Sequence, residues 1–146
     1  MKKFLISAAA CLLAACSATG IQFSGMTPPS EGMGKVYVYR PSAFVGGGSS
    51  FTVSADSKII GHIRNNGYFS AELPPGEHEV WAKTEVRRGV TFTLQEGETR
   101  CVKAGVGMGI LAARPTFENV SLEQCRTEIG ATRHSSRLTD NSLKRY

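Results

Sequence analysis

The chain has 146 residues, of which 41% are hydrophobic and 20% are charged, and its formal net charge is +5. This length suits one domain, because two independent cores are hard to build from so few residues. The hydrophobic content excludes a chain that is disordered throughout. No apolar run of about 18 residues follows the first residues, which excludes a protein with several membrane-spanning helices.

The first fifteen residues have the features of a secretory signal. The chain begins with Met and two Lys, and residues 4–15 are apolar apart from Ser7. A run of this length is too short to cross a hydrocarbon core of about 30 Å as a helix. A short apolar run between a basic start and small residues is typical of an export signal. We therefore predict that residues 1–15 are a cleaved signal peptide, in preference to a buried N-terminal helix.

The residues around the end of this signal read LAAC, which resembles the lipobox of bacterial lipoproteins. The resemblance implies cleavage between Ala15 and Cys16, a diacylglyceryl group on Cys16, and an acyl chain such as palmitate on its new amino group. Cys11 also follows small residues, but it lacks the Leu at the first position of the motif. Several acyl chains give lasting attachment, because each buried CH₂ contributes about 0.8 kcal/mol. We therefore predict Cys16 as the lipidated residue.

The residues after the cysteine indicate location and a tether. Ser17, and not Asp, follows the cysteine, which resembles the pattern of proteobacterial lipoproteins sorted to the outer membrane. We predict a lipoprotein of the cell envelope, anchored in the outer membrane and facing the periplasm or the cell exterior. Residues 16–34 are rich in Gly, Ser, Thr and Pro, which predicts a flexible tether that averages roughly 25 Å end to end.

Residues 35–130 have the pattern of a β-domain. β-branched, aromatic and alternating apolar residues predict strands, and Asn, Gly and Pro mark the turns between them. The predicted strands cover residues 35–40, 51–55, 58–63, 67–73, 77–86, 90–95 and 99–106, with a short final strand within 111–120. Ser121 and Gln124 form a capping-box pattern, which predicts a short helix that ends before Gly130. About seven strands at this spacing predict a small antiparallel β-sandwich, immunoglobulin-like or prealbumin-like, with one C-terminal helix.

The remaining cations are concentrated at the C-terminus. Residues 16–130 contain eleven Lys and Arg against eleven Asp and Glu, whereas residues 131–146 contain four cations against one Asp. A neutral domain argues against nucleic-acid binding, which needs clustered cations on a folded surface. We predict that residues 131–146 are a disordered basic tail. The tail can bind anionic lipid or lipopolysaccharide, and the alternative is a solvated terminus.

Two cysteines are left once Cys11 is removed with the signal and Cys16 carries lipid. In an exported protein, Cys101 and Cys125 are candidates for a disulfide, and the alternative is two reduced, buried thiols. Closing this loop would stabilise the fold by about 3–4 kcal/mol in the chain-entropy model. The alternation of residues 99–106 places Cys101 on the face opposite the main core, so its partner is expected on the outer face of the sheet or at an edge.

Two motifs carry a resemblance to a known family. Tyr39-Arg40-Pro41 ends the first strand, and LPPGEH at residues 73–78 leads into a later one. In this order they resemble domain of unknown function 2846, a family of small bacterial envelope proteins. The chain departs from the family pattern at Ser57, where Gly is frequent, and at Cys101, where Tyr is frequent. The resemblance implies a β-sandwich and no known reaction.

Candidate catalytic and metal-ligating residues are sparse. His78 lies between two glutamates, but on a strand Glu77 and Glu79 face away from it and do not converge with it on one ion. The sequence has no His-x₃-His or Cys-x₂-Cys spacing and no Gly-x-Ser-x-Gly motif. We predict no metal, no cofactor and no catalytic residue, and a structural hydrogen-bonding role for His78.

Two further expectations concern other side chains. Arg40, at a strand end, is expected to pair with a carboxylate such as Glu72 or Glu79. The aromatic residues of the strands are candidates for an exposed ligand platform, although core packing is the favoured interpretation. These residues are Tyr37, Tyr39, Tyr68, Phe69 and Trp81.

These features favour a non-catalytic, lipid-anchored envelope protein that acts as an accessory or interaction module. Its expected partners are the membrane, through the anchor, and another envelope protein. The alternative is a ligand-binding or inhibitor module that captures a glycan, a peptide or a foreign enzyme. An exposed apolar surface would favour the first function, and a concave aromatic pocket would favour the second.

Overall fold

Nine strands and one helix make up residues 16–135, which are the part of the chain that this computed structural model describes. The predicted signal peptide and residues 136–146 of the predicted tail lie outside these residues. The elements are β1 (Gly34–Arg40), β2 (Phe51–Ala55), β3 (Lys58–Ile63), β4 (Gly67–Leu73), β5 (Gly76–Lys83), β6 (Arg87–Leu94), β7 (Thr99–Gly107), β8 (Arg114–Val120), α1 (Leu122–Ile129) and β9 (Arg133–His134).

The strands form two packed sheets, which confirms the predicted β-sandwich. One sheet has the order β8-β7-β1-β4-β9, and the other has the order β3-β2-β5-β6. Neighbouring strands are antiparallel except in the pairs β1–β7 and β4–β9, so the larger sheet is mixed. A parallel β1–β7 pair is accessible because the chain reaches β7 from the opposite sheet, through a connection that crosses between the layers.

The strand count is nine, where the sequence predicts about seven. β8 extends over seven residues at the edge of the larger sheet and includes Pro115, in agreement with the confinement of Pro to edge strands. β9 has two residues and pairs with the start of β4, inside the segment predicted to be a disordered tail. The prediction is therefore wrong for residues 131–135. A two-residue strand has no periodicity that a sequence pattern can detect.

The main core lies between the sheets, and a second apolar cluster covers the outer face of the larger sheet. Val36 and Val38 of β1 face the main core, whereas Tyr37 and Tyr39 face the second cluster. Every residue of β1 is therefore buried, as expected for a central strand with apolar residues on both faces. The helix α1 supplies Cys125 and Ile129 to the second cluster, and its Ser121 cap accepts a hydrogen bond from the Gln124 amide.

Residues 17–33 lie along this outer face and Gly34 begins β1, which differs from the free tether predicted for residues 16–34. The Ala18 amide donates to the Asn65 carbonyl oxygen at 2.9 Å, and Ala18 is buried. The Phe23 ring packs edge-on against Tyr37 and Tyr68, with ring centroids 6.1 and 5.2 Å apart. The few apolar side chains of this segment cover sheet surface that α1 leaves open, although the overall composition is that of a linker.

One turn lies at a different position from the one that the sequence predicts. The sequence predicts a turn at residues 87–89, but Arg87 begins β6 and the turn lies at residues 84–86. Gly89 is paired with Trp81 in the ladder, and a Cβ on Gly89 would lie 2.6 Å from the Trp81 Cβ. This glycine is therefore a point of close approach within the sheet and not part of a turn.

Candidate membrane-anchoring site

Four connections between consecutive strands lie at one end of the sandwich, beside Cys16. They are residues 41–50, 64–66, 84–86 and 108–113, and we call them the Cys16 end. The parallel pairing of β1 with β7 means that the connections following both strands leave the sheet at the same end. Arg40, the last residue of β1, pairs with Gly67, the first of β4, so the β3–β4 turn lies there as well.

Cys16 is exposed and lies directly against this end. It lines a shallow depression together with Phe44 and its loop neighbours and with Asn65. Asn65 is buried and joins two segments, because its carbonyl accepts from the Ala18 amide and its Oδ1 accepts from the Ala43 amide, each at 2.9 Å. The predicted lipidation position is thus two residues from a backbone hydrogen bond to the domain.

Arg40 fixes the loop at residues 41–50. Its side chain is 1% exposed, and it donates to the carbonyl oxygens of Gly46 and Ser49 at 2.6 Å each. Its guanidinium also lies 5.7 Å from the Phe51 ring centroid. Burial lowers the pKa of Arg40, and carbonyl acceptors compensate part of the cost of removing the charge from water. The arginine of the Tyr-Arg-Pro motif is therefore a loop-binding residue.

The predicted ion pair of Arg40 with Glu72 or Glu79 is wrong. Glu72 pairs with Lys35, at the opposite end of the β1–β4 ladder from Arg40, with 3.5 Å between Nζ and Oε1. Glu79 pairs with Arg87 on the neighbouring strand. Strand register separates Arg40 from both carboxylates, and position in the sequence does not reveal that register.

The disulfide between Cys101 and Cys125 is formed, which confirms that prediction. It joins β7 to α1 with 6.2 Å between the Cα atoms, and both residues belong to the cluster on the outer face of the larger sheet. Nearby, the Tyr39 hydroxyl donates to Glu128 at 2.8 Å, and Lys103 pairs with the same carboxylate at 2.9 Å. Burial and this carboxylate raise the pKa of Tyr39. These contacts attach α1 to the sheet.

His78 has a structural role, as predicted, and it lies at the end opposite Cys16. Its Nδ1 is 2.7 Å from Asp56 Oδ2, and its Nε2 is 2.6 Å from the Pro74 carbonyl oxygen. A carboxylate and a carbonyl can only accept, so this arrangement satisfies both ring nitrogens in the protonated imidazole, where each nitrogen donates. Burial alone would lower the pKa of His78, but these two hydrogen bonds raise it. In its protonated form the ring has no lone pair for a metal ion or a further proton.

The other histidines and the aromatic residues are also engaged in the fold. His62 lies 3.4 Å from the Thr52 hydroxyl, and the His134 ring packs edge-on against Tyr68. Tyr37, Tyr39 and Phe69 are buried. Within residues 16–135, no group of three or more His, Cys, Asp or Glu side chains is arranged to bind a metal ion. The same residues contain no helical segment with the length and hydrophobicity of a membrane span, and α1 has only 8 residues.

Comparison with known proteins assigns the domain to a family. A family of proteins of unknown function, DUF2846, matches residues 30–114, which is more than half of the chain. The chain belongs to DUF2846. The match begins before β1 and ends at the first residue of β8, so β1–β7 form the DUF2846 part of the fold. No curated protein and no solved structure matches the chain.

Two residues that position the Cys16 end are not predicted to do so from the sequence. Asn65 is predicted only as part of a turn, and no structural role is predicted for Glu85. In this DUF2846 protein, Glu85 accepts a hydrogen bond from the Leu111 amide at 2.5 Å and pairs with Arg114 at 3.2 Å. The hydrogen bond from Leu111, followed by that from Ala112, lowers the pKa of Glu85 despite the opposing effect of desolvation. Contacts between residues this far apart leave no periodic signal.

Proposed function

We propose that this protein is a non-catalytic, lipid-anchored protein of the bacterial cell envelope that serves as an accessory or interaction module. The observation that carries this proposal is the position of Cys16, the last residue of the LAAC motif. It is exposed, its thiol is free, and it stands at the edge of the folded domain. Acylation at this position leaves the packing of the domain intact.

The proposal extends to the outer membrane as the site of anchoring, with palmitate and a diacylglyceryl group on Cys16. Ser17 after the cysteine supports this location by its resemblance to outer-membrane lipoproteins. The buried disulfide between Cys101 and Cys125 also supports export, because such bonds persist in oxidising compartments such as the periplasm.

A non-catalytic role is supported by how the candidate reactive groups are used. Both nitrogens of His78 donate to acceptors of the fold, and Arg40 donates to backbone carbonyls. General acid–base catalysis needs a titratable group within reach of a substrate proton. Trp81 is covered by the Arg87 guanidinium, which lies 4.0 Å from its ring centroid. This contact argues against Trp81 as an exposed ligand platform.

In-cell crosslinking of the full-length protein tests the interaction role. The control is a secreted form in which residues 1–16 are replaced by a signal peptide that leaves no lipid. A second control lacks residues 136–146. We expect the lipidated protein, with or without the tail, to capture one specific envelope protein, and the secreted form to capture much less. Equal capture by the secreted form, or capture of no protein by the lipidated form, would contradict the proposal.

A further inference from the structure

Large exposed apolar side chains are concentrated at the Cys16 end. Phe44 at the loop tip is 89% exposed and Leu111 is 91% exposed. Six of the seven exposed large apolar side chains in residues 16–135 belong to connections at this end: Phe44, Val45, Val86, Met108, Ile110 and Leu111. Concentration of such side chains on one surface indicates a site of contact with a partner or a membrane.

The loops that carry these side chains are fixed to the sandwich. The Arg40 hydrogen bonds attach loop 41–50, and Gly46 of that loop lies against Val106 of β7, where a Cβ would be 2.7 Å from Val106 Cγ1. Glu85 accepts from the Leu111 amide in loop 108–113. Backbone groups therefore bind inward, while the apolar side chains remain in solvent. Their exposure results from how the loops are attached.

The predicted lipid is attached at the same place. Cys16 lines one depression with Phe44, and the Ala18 amide is bonded to Asn65. The two residues from Cys16 to Ala18 span at most about 7 Å when extended. This distance is comparable to the thickness of the headgroup layer on one side of a bilayer. Acyl chains on Cys16 would therefore bring loops 41–50 and 108–113 to the level of the headgroups.

The charges of this end are complementary to anionic headgroups. Exposed cations on strands that meet this end are Lys83, Arg87, Arg88 and Arg133, of which Arg87 is paired with Glu79. Ser135, the last described residue, also lies here, because its hydroxyl accepts from the Arg64 amide. The opposite end has mixed charges, because exposed Asp56 and Glu96 in its turns are accompanied by exposed Lys58 and Arg100 on its strands. Cations beside apolar side chains are typical of surfaces that bind anionic lipid.

We propose that loops 41–50 and 108–113 form a membrane-docking surface. Once Cys16 is acylated, Phe44, Val45, Ile110 and Leu111 insert at the boundary between headgroups and acyl chains of an anionic phospholipid bilayer. This inference rests on the proposed lipidation of Cys16 and adds orientation to it. The lipid provides attachment, and the docked loops direct the His78–Asp56 end away from the membrane, where it is accessible to a protein partner.

Fluorescence quenching by brominated phospholipids tests the docking. The lipidated, full-length mature protein is placed in vesicles of phosphatidylethanolamine and phosphatidylglycerol whose acyl chains carry bromine. Phe44→Trp and Leu111→Trp report on the two loops, and Gln95→Trp reports on the opposite end. The signal of Trp81, measured in the unsubstituted protein, is subtracted. We expect several-fold stronger quenching for F44W and L111W than for Q95W.

The outcomes separate the docking from the lipidation on which it rests. If all variants float with the vesicles but F44W and L111W are quenched no more than Q95W, the docking proposal is overturned and the lipidation stands. If the protein purified from membranes carries no lipid and does not float, both proposals fail. Capture of one envelope protein by photo-crosslinking groups placed at residues 44 and 111, without quenching of F44W and L111W by lipid, would assign the surface to a protein partner and overturn the docking.

Discussion

Asp56 in the β2–β3 turn and His78 on β5 form a hydrogen-bonded pair, with 2.7 Å between Asp56 Oδ2 and His78 Nδ1. Asp56 has a positive φ of 52°, a conformation that Asp and Asn tolerate better than most residues. Its second carboxylate oxygen accepts from the Glu79 amide at 2.9 Å. The pair thus attaches a tight turn to the neighbouring strand of the same sheet.

This pair predicts a pH-dependent contribution to stability. Burial lowers the pKa of His78, but its hydrogen bonds outweigh this effect, so the pKa is raised in the folded state. The contribution of His78 to the free energy of unfolding is therefore complete below about pH 6.5, and it is lost as the pH rises through the folded pKa. Desolvation raises the pKa of Asp56, but hydrogen bonds from Glu79 and His78 outweigh this effect, so the pKa is lowered in the folded state. The contribution of Asp56 to the free energy of unfolding is therefore complete above about pH 3.9, and it is lost as the pH falls through the folded pKa. The pair therefore stabilises most between about pH 4 and 6.5.

Replacing Asp56 with Asn tests this dependence while retaining the turn. We expect D56N to lower the free energy of unfolding by about 1–2 kcal/mol at pH 5, and by less at pH 8.5. Urea unfolding across this pH range measures the difference. The control is Glu77→Gln, an exposed neighbour, which should change stability by less than about 0.5 kcal/mol. A D56N effect that is constant across the range would refute the assignment.

Arg40→Lys tests whether the guanidinium organises loop 41–50. A single ammonium lacks the planar fork that reaches both Gly46 and Ser49, so one of these two part-buried carbonyls loses its partner. We expect a loss of about 2–3 kcal/mol in the free energy of unfolding and faster amide hydrogen exchange in the loop. Arg100→Gln removes an exposed ion pair with Glu98 and should cost less than about 1 kcal/mol. Equal effects of R40K and R100Q would contradict the role of Arg40.

The disulfide is predicted to be a major stabilising element. With a sequence separation of 24 residues between Cys101 and Cys125, the chain-entropy model gives about 3.5 kcal/mol. We expect C101A/C125A to lower the free energy of unfolding by about this amount, and dithiothreitol to destabilise the wild type but not the double variant. If the reductant destabilised both proteins equally, its effect would come from elsewhere in the chain.

Two glycines provide a matched test of packing. A Cβ on Gly61 would lie 2.8 Å from the Phe69 ring, whereas a Cβ on Gly48 would have no heavy atom within 4 Å. We expect Gly61→Ala to lower the free energy of unfolding by about 1–3 kcal/mol, and Gly48→Ala to change it by less than about 0.5 kcal/mol. Thermal unfolding measures both. Similar melting temperatures for G61A and G48A would mean that the Phe69 ring moves freely to make room.

The strands could be predicted because their signals are local. Alternation across residues 99–106 places Cys101 on the outer face, and the capping pattern at Ser121 places Cys125 on a helix that can reach it. Apolar residues on both faces predict β1 as a central strand, and it lies in the middle of the five-stranded sheet. In each case a few neighbouring residues determine both the element and its buried face.

The Cys16 end could not be assembled from the sequence, because its contacts join residues far apart in the chain. In the linker-like segment, Ala18 is bonded to Asn65 and Phe23 packs on Tyr68, partners that lie more than 40 positions away in the sequence. Glu85 binds the Leu111 amide across 26 positions. The motif that ends in Cys16 predicts a lipid anchor, but only the fold brings Cys16 beside the exposed Phe44.

The central claim is that the mature protein begins at an acylated Cys16, and mass spectrometry of its N-terminal tryptic peptide tests it most directly. The sequence has no Lys or Arg between Cys16 and Lys35, so trypsin releases residues 16–35 as one peptide. The account predicts this peptide from membrane fractions with the added mass of a diacylglyceryl group and an amide-linked acyl chain, and predicts the same peptide from a Cys11→Ser variant. An unmodified peptide beginning at Cys16, or a peptide that spans the uncleaved Ala15–Cys16 bond, would contradict it.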